Sequence, residues 1–116
     1  LIPLFCLPVP AVAQAAGEWR VSGDVSGRAF VVDCRFNEQG GELGGQCTEI
    51  DKEGKPGKQY RVSRGNVQGQ QISWTYPTKV MMMSIDIVFA GSLNGDGMTG
   101  TVTAKGRKGT FTARKR

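Results

Sequence analysis

A chain of 116 residues with a formal net charge of +5 has room for one domain and only a modest core. With 17 glycines, 8% aromatic residues and no histidine, it excludes histidine-based triads and dyads and every histidine-containing metal site. Charge is uneven: through Glu53 the bases are Arg20, Arg28, Arg35 and Lys52, whereas beyond Gly54 the acids are Asp86 and Asp96 alone.

The first element is an apolar run, Leu1 to Val12, followed by the small-residue series Ala11-Val12-Ala13-Gln14-Ala15-Ala16. This is the pattern of a secretory signal and its cleavage site, too short and too rich in proline to span a membrane. Residues 1–15 are therefore expected to be a partial, cleaved signal peptide and residues 16–116 a single β-barrel domain, with the mature start at Gln14 or Ala16. Pro3, Pro8 and Pro10 oppose the alternative of a native strand, and Pro3-Leu4-Phe5 before Cys6 lack the small residues of a lipoprotein signal. Cys6 leaves with the signal. Cys34 and Cys47 remain in a periplasmic or secreted domain, where a disulfide is the default expectation.

Beyond the signal there is no heptad and no sustained helical period. Short alternating runs end in turn residues, which predicts an all-β fold. Strands are expected over 17–23, 28–36, 42–50, 58–64, 71–76, 80–93, 98–104 and 109–115. Gly40-Gly41, Glu53 to Gly57, Gly65-Asn66 with Gly69, Asn94 to Gly97 and Gly106 to Gly109 supply turns. Eight strands joined this tightly are antiparallel neighbours, and they close most simply into an up-and-down barrel without exposed edges. Alternation turns Phe30, Val32, Cys34, Phe36, Tyr60, Val62, Ile72, Trp74, Tyr76, Ile85, Ile87, Phe89, Phe111 and Ala113 inward. Outward faces carry Arg61, Ser63, Ser73, Thr75 and the threonines at 99, 101, 103, 110 and 112. Inward glycines at 91 and 100 leave space or let the wall bend.

Two registers follow from arithmetic. Around Gly40-Gly41, Cys34 falls opposite Cys47 in a non-hydrogen-bonded pair, close enough for a disulfide that contributes on the order of 3 kcal/mol. The same register sets Glu49 opposite Val32. Either a bulge or a rim position brings Glu49 to water, or it is a polar group inside the barrel and the best single partner for a ligand amine or hydroxyl. Around Asn94 to Gly97, Leu93 faces Met98, Gly91 faces Gly100, Phe89 faces Val102 and Ile87 faces Ala104.

Met81 and Met83 continue the face of Ile85 and Ile87, where adaptable thioether side chains suit apolar ligands as well as they suit a core. The Asn94 to Gly97 turn lacks the spaced carboxylates of a calcium loop. The basic set Lys105, Arg107, Lys108, Arg114, Lys115 and Arg116 lacks interleaved aromatics, so no nucleic acid is expected. These bases suit peripheral contact with an anionic membrane surface, and equally a solubilising exterior. No nucleophile, base and orienting group converge, so an enzyme, a cofactor and a metal are not expected.

Gly17-Glu18-Trp19 on the first strand, the eight antiparallel strands and Arg114 in FTARK on the last together resemble the calycins, the superfamily of lipocalin-type barrels. In lipocalins that tryptophan closes one barrel end and an arginine from the last strand packs across it; here alternation points Arg114 away from the Phe111 face. The tail FAGSLNGDGMTGTVTAKGRKGTFTARK resembles small exported lipocalin-like bacterial domains. The front GEWRVSG with Cys34 and Cys47 is similar to the periplasmic metalloprotease inhibitors, which insert an N-terminal trunk into the protease; few residues precede Trp19 here. Avidins share the barrel and a leading G-x-W, but not the later tryptophans. The expectation is a non-enzymatic binding protein holding a small apolar or amphipathic ligand against Phe30, Val32, Tyr60, Trp74, Tyr76, Met81, Met83 and Phe89, with Glu49 as the polar candidate. A module binding a secreted or periplasmic protein, such as a protease inhibitor, is second, and a barrel cyclase third. A cavity of about 300 Å³ or more favours the carrier.

Overall fold

The computed structural model describes residues 14–116. Of the expected signal, all but Gln14 and Ala15 lies outside the described residues, as does Cys6. The described chain forms β1 (Gly17–Val25), β2 (Arg28–Gln39), β3 (Glu42–Ile50), β4 (Pro56–Arg61), β5 (Arg64–Gln68), β6 (Gln71–Val80), β7 (Met83–Asn94), β8 (Gly97–Ala104) and β9 (Arg107–Lys115). They make one antiparallel sheet in the order β2-β1-β9-β8-β7-β6-β5-β3-β4, and an additional β2–β3 pairing closes it. The fold is thus all-β, an eight-stranded antiparallel barrel as expected, because β4 and β5 share one position in the wall.

That shared position corrects the expected strand over 58–64. The chain changes partners at Val62-Ser63: Val62 N–H donates to the Gly45 carbonyl and Ser63 N–H to the Thr75 carbonyl. Before the break β4 pairs with β3, and after it β5 pairs with β6. Gly65 and Asn66, expected in a turn, are therefore strand residues opposite Trp74 and Ser73. Thr75, expected on the wet face, is buried at this crossing.

The second correction concerns the strands expected over 71–76 and 80–93. β6 runs on through Pro77 to Val80, and Met81-Met82 form the hairpin turn. Counted from the closing pair Val80/Met83, Pro77/Asp86 is a non-hydrogen-bonded pair, so the N–H that proline lacks would point away from β7. Among the described residues no strand pairs with β6 there, since its β5 ladder ends at Thr75. Proline is tolerated at such an edge. On this half of the barrel the wall has a seam between β4 and β6, bridged by Tyr60 stacked on Tyr76 with ring centroids 4.9 Å apart.

The expected registers are present. Cys34 faces Cys47 and the two form a disulfide with Cα atoms 4.0 Å apart. Leu93/Met98, Gly91/Gly100, Phe89/Val102 and Ile87/Ala104 pair as the turn arithmetic requires. The facing glycines have a steric cause: a Cβ on Gly100 would lie 2.5 Å from the Gly91 Cα and 2.2 Å from the Ala90 carbonyl oxygen. The wall can bend this tightly only without side chains at that step.

Turns alternate between two ends. At one end lie the β2–β3, β5–β6 and β7–β8 hairpins and both chain ends of the described residues. This end is filled by Trp19, Leu43, Val67, Ile72, Leu93 and Met98. Trp19 is fully buried, its indole N–H donates to the Ala15 carbonyl at 2.8 Å, and Lys115 Nζ lies 5.6 Å from its ring centroid. Arg114, named by the lipocalin resemblance, is exposed on the outer face, and Lys115 occupies the inward position instead. Above this layer Trp74 stacks on Phe89 at 4.6 Å, with Phe36 and Phe111 packed edge-on against Trp74 at 4.9 and 5.4 Å. Such aromatic contacts add to the burial of large apolar surfaces.

Candidate functional site

At the other end, between the β1–β2, β3–β4, β6–β7 and β8–β9 connections, the barrel is hollow. The cavity has a volume of about 830 Å³. Its length follows from residue size: inward positions that carry Trp, Phe and Leu at the filled end carry Val25, Val32, Thr78, Ile85, Ile87, Val102 and Ala104 here. Phe89 and Tyr76 also face the cavity, Phe30 stands on its wall, and Tyr60 and Thr78 line it beside the seam.

Of the expected ligand residues, Phe30, Val32, Tyr60, Tyr76, Phe89 and Glu49 line this space. Three do not. Trp74 is buried in the aromatic layer, stacked on Phe89 rather than exposed to the cavity, and its Nε1 has no hydrogen-bond partner among the described residues. Met81 and Met83 are overturned as cavity residues by the position of the hairpin: Met81 lies in the turn and is 91% exposed, and Met83 closes it and is 52% exposed. Alternation assigned them inward because it was extended through a turn that carries no glycine or asparagine.

Glu49 settles at the rim. It pairs with Val32 as expected, a register irregularity lies beside it between Thr48 and Ile50, and its side chain is exposed along the cavity edge. The Tyr60 hydroxyl donates to Glu49 Oε2 at 2.6 Å. Burial first, then the Glu49 carboxylate, push the Tyr60 phenol above its ordinary pKa, with the Thr78 side chain opposing. Tyr76, 5% exposed, is held well above the ordinary tyrosine range by burial and then by the nearby Tyr60 and Glu49 charges. Both phenols are therefore neutral at physiological pH, and the cavity presents an apolar wall with these hydroxyls and a rim that carries the Glu49 and Asp51 carboxylates and three basic side chains.

The charged cavity residues that escaped sequence reasoning are Asp51 in the β3–β4 connection and Arg28, Lys105 and Arg107 at the mouth. Each of the three bases lies in or beside a two-residue turn, Ser26-Gly27 or Lys105-Gly106, and only the assembled barrel puts those turns at the same end. Among the described residues no three His, Cys, Asp or Glu side chains gather as a metal site. A smaller recess of about 250 Å³ lies on the outer wall beside Glu18, Asp33, Arg35 and Arg116. Its charges pair with one another: Arg20 grips Asp33 at 2.8 and 2.9 Å, Arg116 joins Asp33 at 2.9 Å, and Arg35 pairs with Glu18. The Arg20 hydrogen bond holds the Asp33 carboxyl below its ordinary pKa.

No family model and no curated protein matches the chain. Among solved structures, a redesigned β-barrel is similar over 87% of this chain and 90% of its own, with a TM-score of 0.66 and 15% sequence identity. That likeness concerns fold alone. Fold and site together define a closed antiparallel β-barrel, packed at one end and hollow at the other.

Proposed function

We propose that this protein is an exported, non-enzymatic, calycin-type carrier of a small amphipathic molecule with an apolar tail and an anionic head. The reading is carried by one observation, the 830 Å³ cavity, which falls within the range of small-molecule sites. Phe30, Val32, Tyr76, Ile87, Phe89 and Val102 offer the tail an apolar surface, and Arg28, Lys105 and Arg107 offer the head positive charge at the mouth. Tyr60 and Glu49 add a hydrogen-bonding edge beside the seam. Export to a periplasmic or extracellular space accords with the small-residue series before Gln14 and with a disulfide. A mature start at Gln14 keeps the Ala15 carbonyl that the Trp19 indole uses, whereas a start at Ala16 removes it; N-terminal sequencing of the exported protein should read Gln14.

The test is displacement of a fluorescent fatty-acid analogue, together with native mass spectrometry of protein taken from its host. The wild type should bind the analogue, and Ala104→Trp, which places an indole in the cavity, should weaken binding by about tenfold or more. Unchanged affinity in a folded Ala104→Trp protein would falsify the carrier reading.

A further inference from the structure

The β6–β7 hairpin is built against local preference. Met81 and Met82 have φ of 51° and 69°, the left-handed region at both central positions. Two-residue turns of that kind favour Asn-Gly or Asp-Gly, because a Cβ crowds the carbonyl oxygen there, a cost that glycine avoids and that asparagine and aspartate offset by local hydrogen bonds. The other two-residue turns at this end, Ser26-Gly27 and Lys105-Gly106, each place glycine second. Met81 and Met82 are also 91% and 96% exposed, and Val80 and Met83 beside them 49% and 52%. These four consecutive residues are the exposed large hydrophobic side chains among the described residues. A turn that is strained and apolar yet so exposed among the described residues gains little from folding.

The charges around it lean positive: Arg28, Lys52, Lys55, Lys58, Lys79, Lys105, Arg107 and Lys108 outnumber Asp24, Glu49, Asp51, Glu53 and Asp86. The acids keep their charge but are tied locally: Asp24 accepts from Gly27 N–H, Asp51 from Glu53 and Lys55 N–H, and Glu49 from Tyr60. Glu53 lies 4.0 Å from Lys55, and Asp86, behind the tip on β7, 3.8 Å from Arg64. By contrast Arg28, Lys79, Lys105, Arg107 and Lys108 make no ion pair among the described residues and are exposed. Lys79 adjoins the apolar tip, and Lys105 Nζ lies 4.0 Å from Met83 Sδ.

We infer that this end of the barrel docks on an anionic lipid bilayer, with Met81 and Met82 inserted past the headgroups and Lys79 and Lys108 resting on the phosphates. Apolar insertion and basic contact reinforce each other at an interface, where neither alone anchors strongly. Docked this way, the cavity mouth faces the membrane.

The docking surface does not depend on what the cavity holds, and its test is separate. Full-length mature protein is sedimented with vesicles of phosphatidylcholine alone or mixed with phosphatidylglycerol. The wild type should partition onto the mixed vesicles, less so as salt rises, and Met81→Asn with Met82→Gly should weaken partitioning by about tenfold. That double variant supplies the preferred turn residues, so failure to fold does not confound it, and fatty-acid analogue binding should persist in it. Lys79→Glu with Lys108→Glu should also weaken vesicle binding, and Arg114→Glu at the far end should not. A single Met82→Trp should show blue-shifted emission on the mixed vesicles and quenching by brominated lipid. Equal partitioning of wild type and the Met81/Met82 double variant overturns the proposal, as does a wild type that binds neither vesicle. A wild-type dimer dissolved by the same double variant would assign the tip to a second copy of this chain and overturn it too.

Discussion

The two ends of the barrel use one wall and opposite fillings. At the closed end large side chains interdigitate, Trp19 finds an acceptor in the Ala15 carbonyl, and the core reaches its last layer before the turns. At the mouth the inward positions shrink to Val, Ile, Thr and Ala, one wall loses a strand ladder, and about 830 Å³ stays open. The aromatic layer of Trp74, Phe89 and Phe111 divides them. Packing and open volume thus occupy separate halves of one small fold: the filled half supplies the packing that lets the other half go without it.

The largest expected effect falls on that dividing layer. Trp74→Ala removes the ring on which Phe36, Phe89 and Phe111 pack and should cost about 3–5 kcal/mol in urea denaturation. Phe30→Ala on the cavity wall should cost about 1 kcal/mol because its ring is only partly buried. Equal losses would mean that the mouth is packed core, and the division between the halves would fail. Next comes the staple. Cys34→Ala with Cys47→Ala opens a link across 13 residues and should cost about 3 kcal/mol. Hydrogen exchange should rise most at Asp33 and Thr48, the hydrogen-bonded pair next to the disulfide toward the mouth. Faster exchange confined to the Gly40-Gly41 end would place the staple's influence on the closed half instead.

The closed half was the more legible in sequence, for a physical reason. Its turns carry glycine at the positions that need positive φ, so the numbering around Gly40-Gly41 and Gly95 fixed registers residue by residue, disulfide included. The mouth half keeps these rules at Ser26-Gly27 and Lys105-Gly106 but breaks them along β4 to β7. Pro77 sits inside β6 because the edge beside it is unpaired, Met81-Met82 turn without glycine, and a strand changes partners at Val62-Ser63. None of these leaves a local signal. Alternation therefore identified Phe30, Val32, Tyr60, Tyr76 and Phe89 on the correct face, but it placed Met81 and Met83 there too, and it has no way to tell the buried layer of Trp74 from a cavity wall. The rim charges Arg28, Lys105 and Arg107 are a property of which turns share an end, which only closure of the barrel decides.

Alkaline titration probes the cavity itself. The chain has two tyrosines, Tyr60 and Tyr76, which stack on each other across the seam. Both phenols are raised in the folded state, so their contribution to stability is complete below the unfolded value near 10 and is lost as pH rises from there toward the folded value. For Tyr76, buried between Phe89 and Tyr60, the loss should approach about 1.4 kcal/mol for each pH unit above 10. Absorbance at phenolate wavelengths should show Tyr76 ionising only together with unfolding. Reversible titration of both tyrosines near the ordinary value, with the fold intact, would mean that water reaches freely to Tyr76 and that no apolar cavity is sealed there.

The smallest effect, a gain, comes from the turn at the mouth. Relieving two left-handed methionines, Met81→Asn with Met82→Gly should raise stability by about 1 kcal/mol in the same urea titration. Ser26→Asn, at a turn that already has Gly27, should raise it by only a few tenths. A protein that can be stabilised by changing two exposed side chains without touching its core retains them against the requirement of folding. If the double substitution brings no gain, the methionine turn is unstrained and its sequence needs no reason beyond the hairpin. If it brings the gain and removes vesicle binding together, the strained tip is what the mouth half keeps for its contact with the bilayer, just as its small inward residues keep the cavity open.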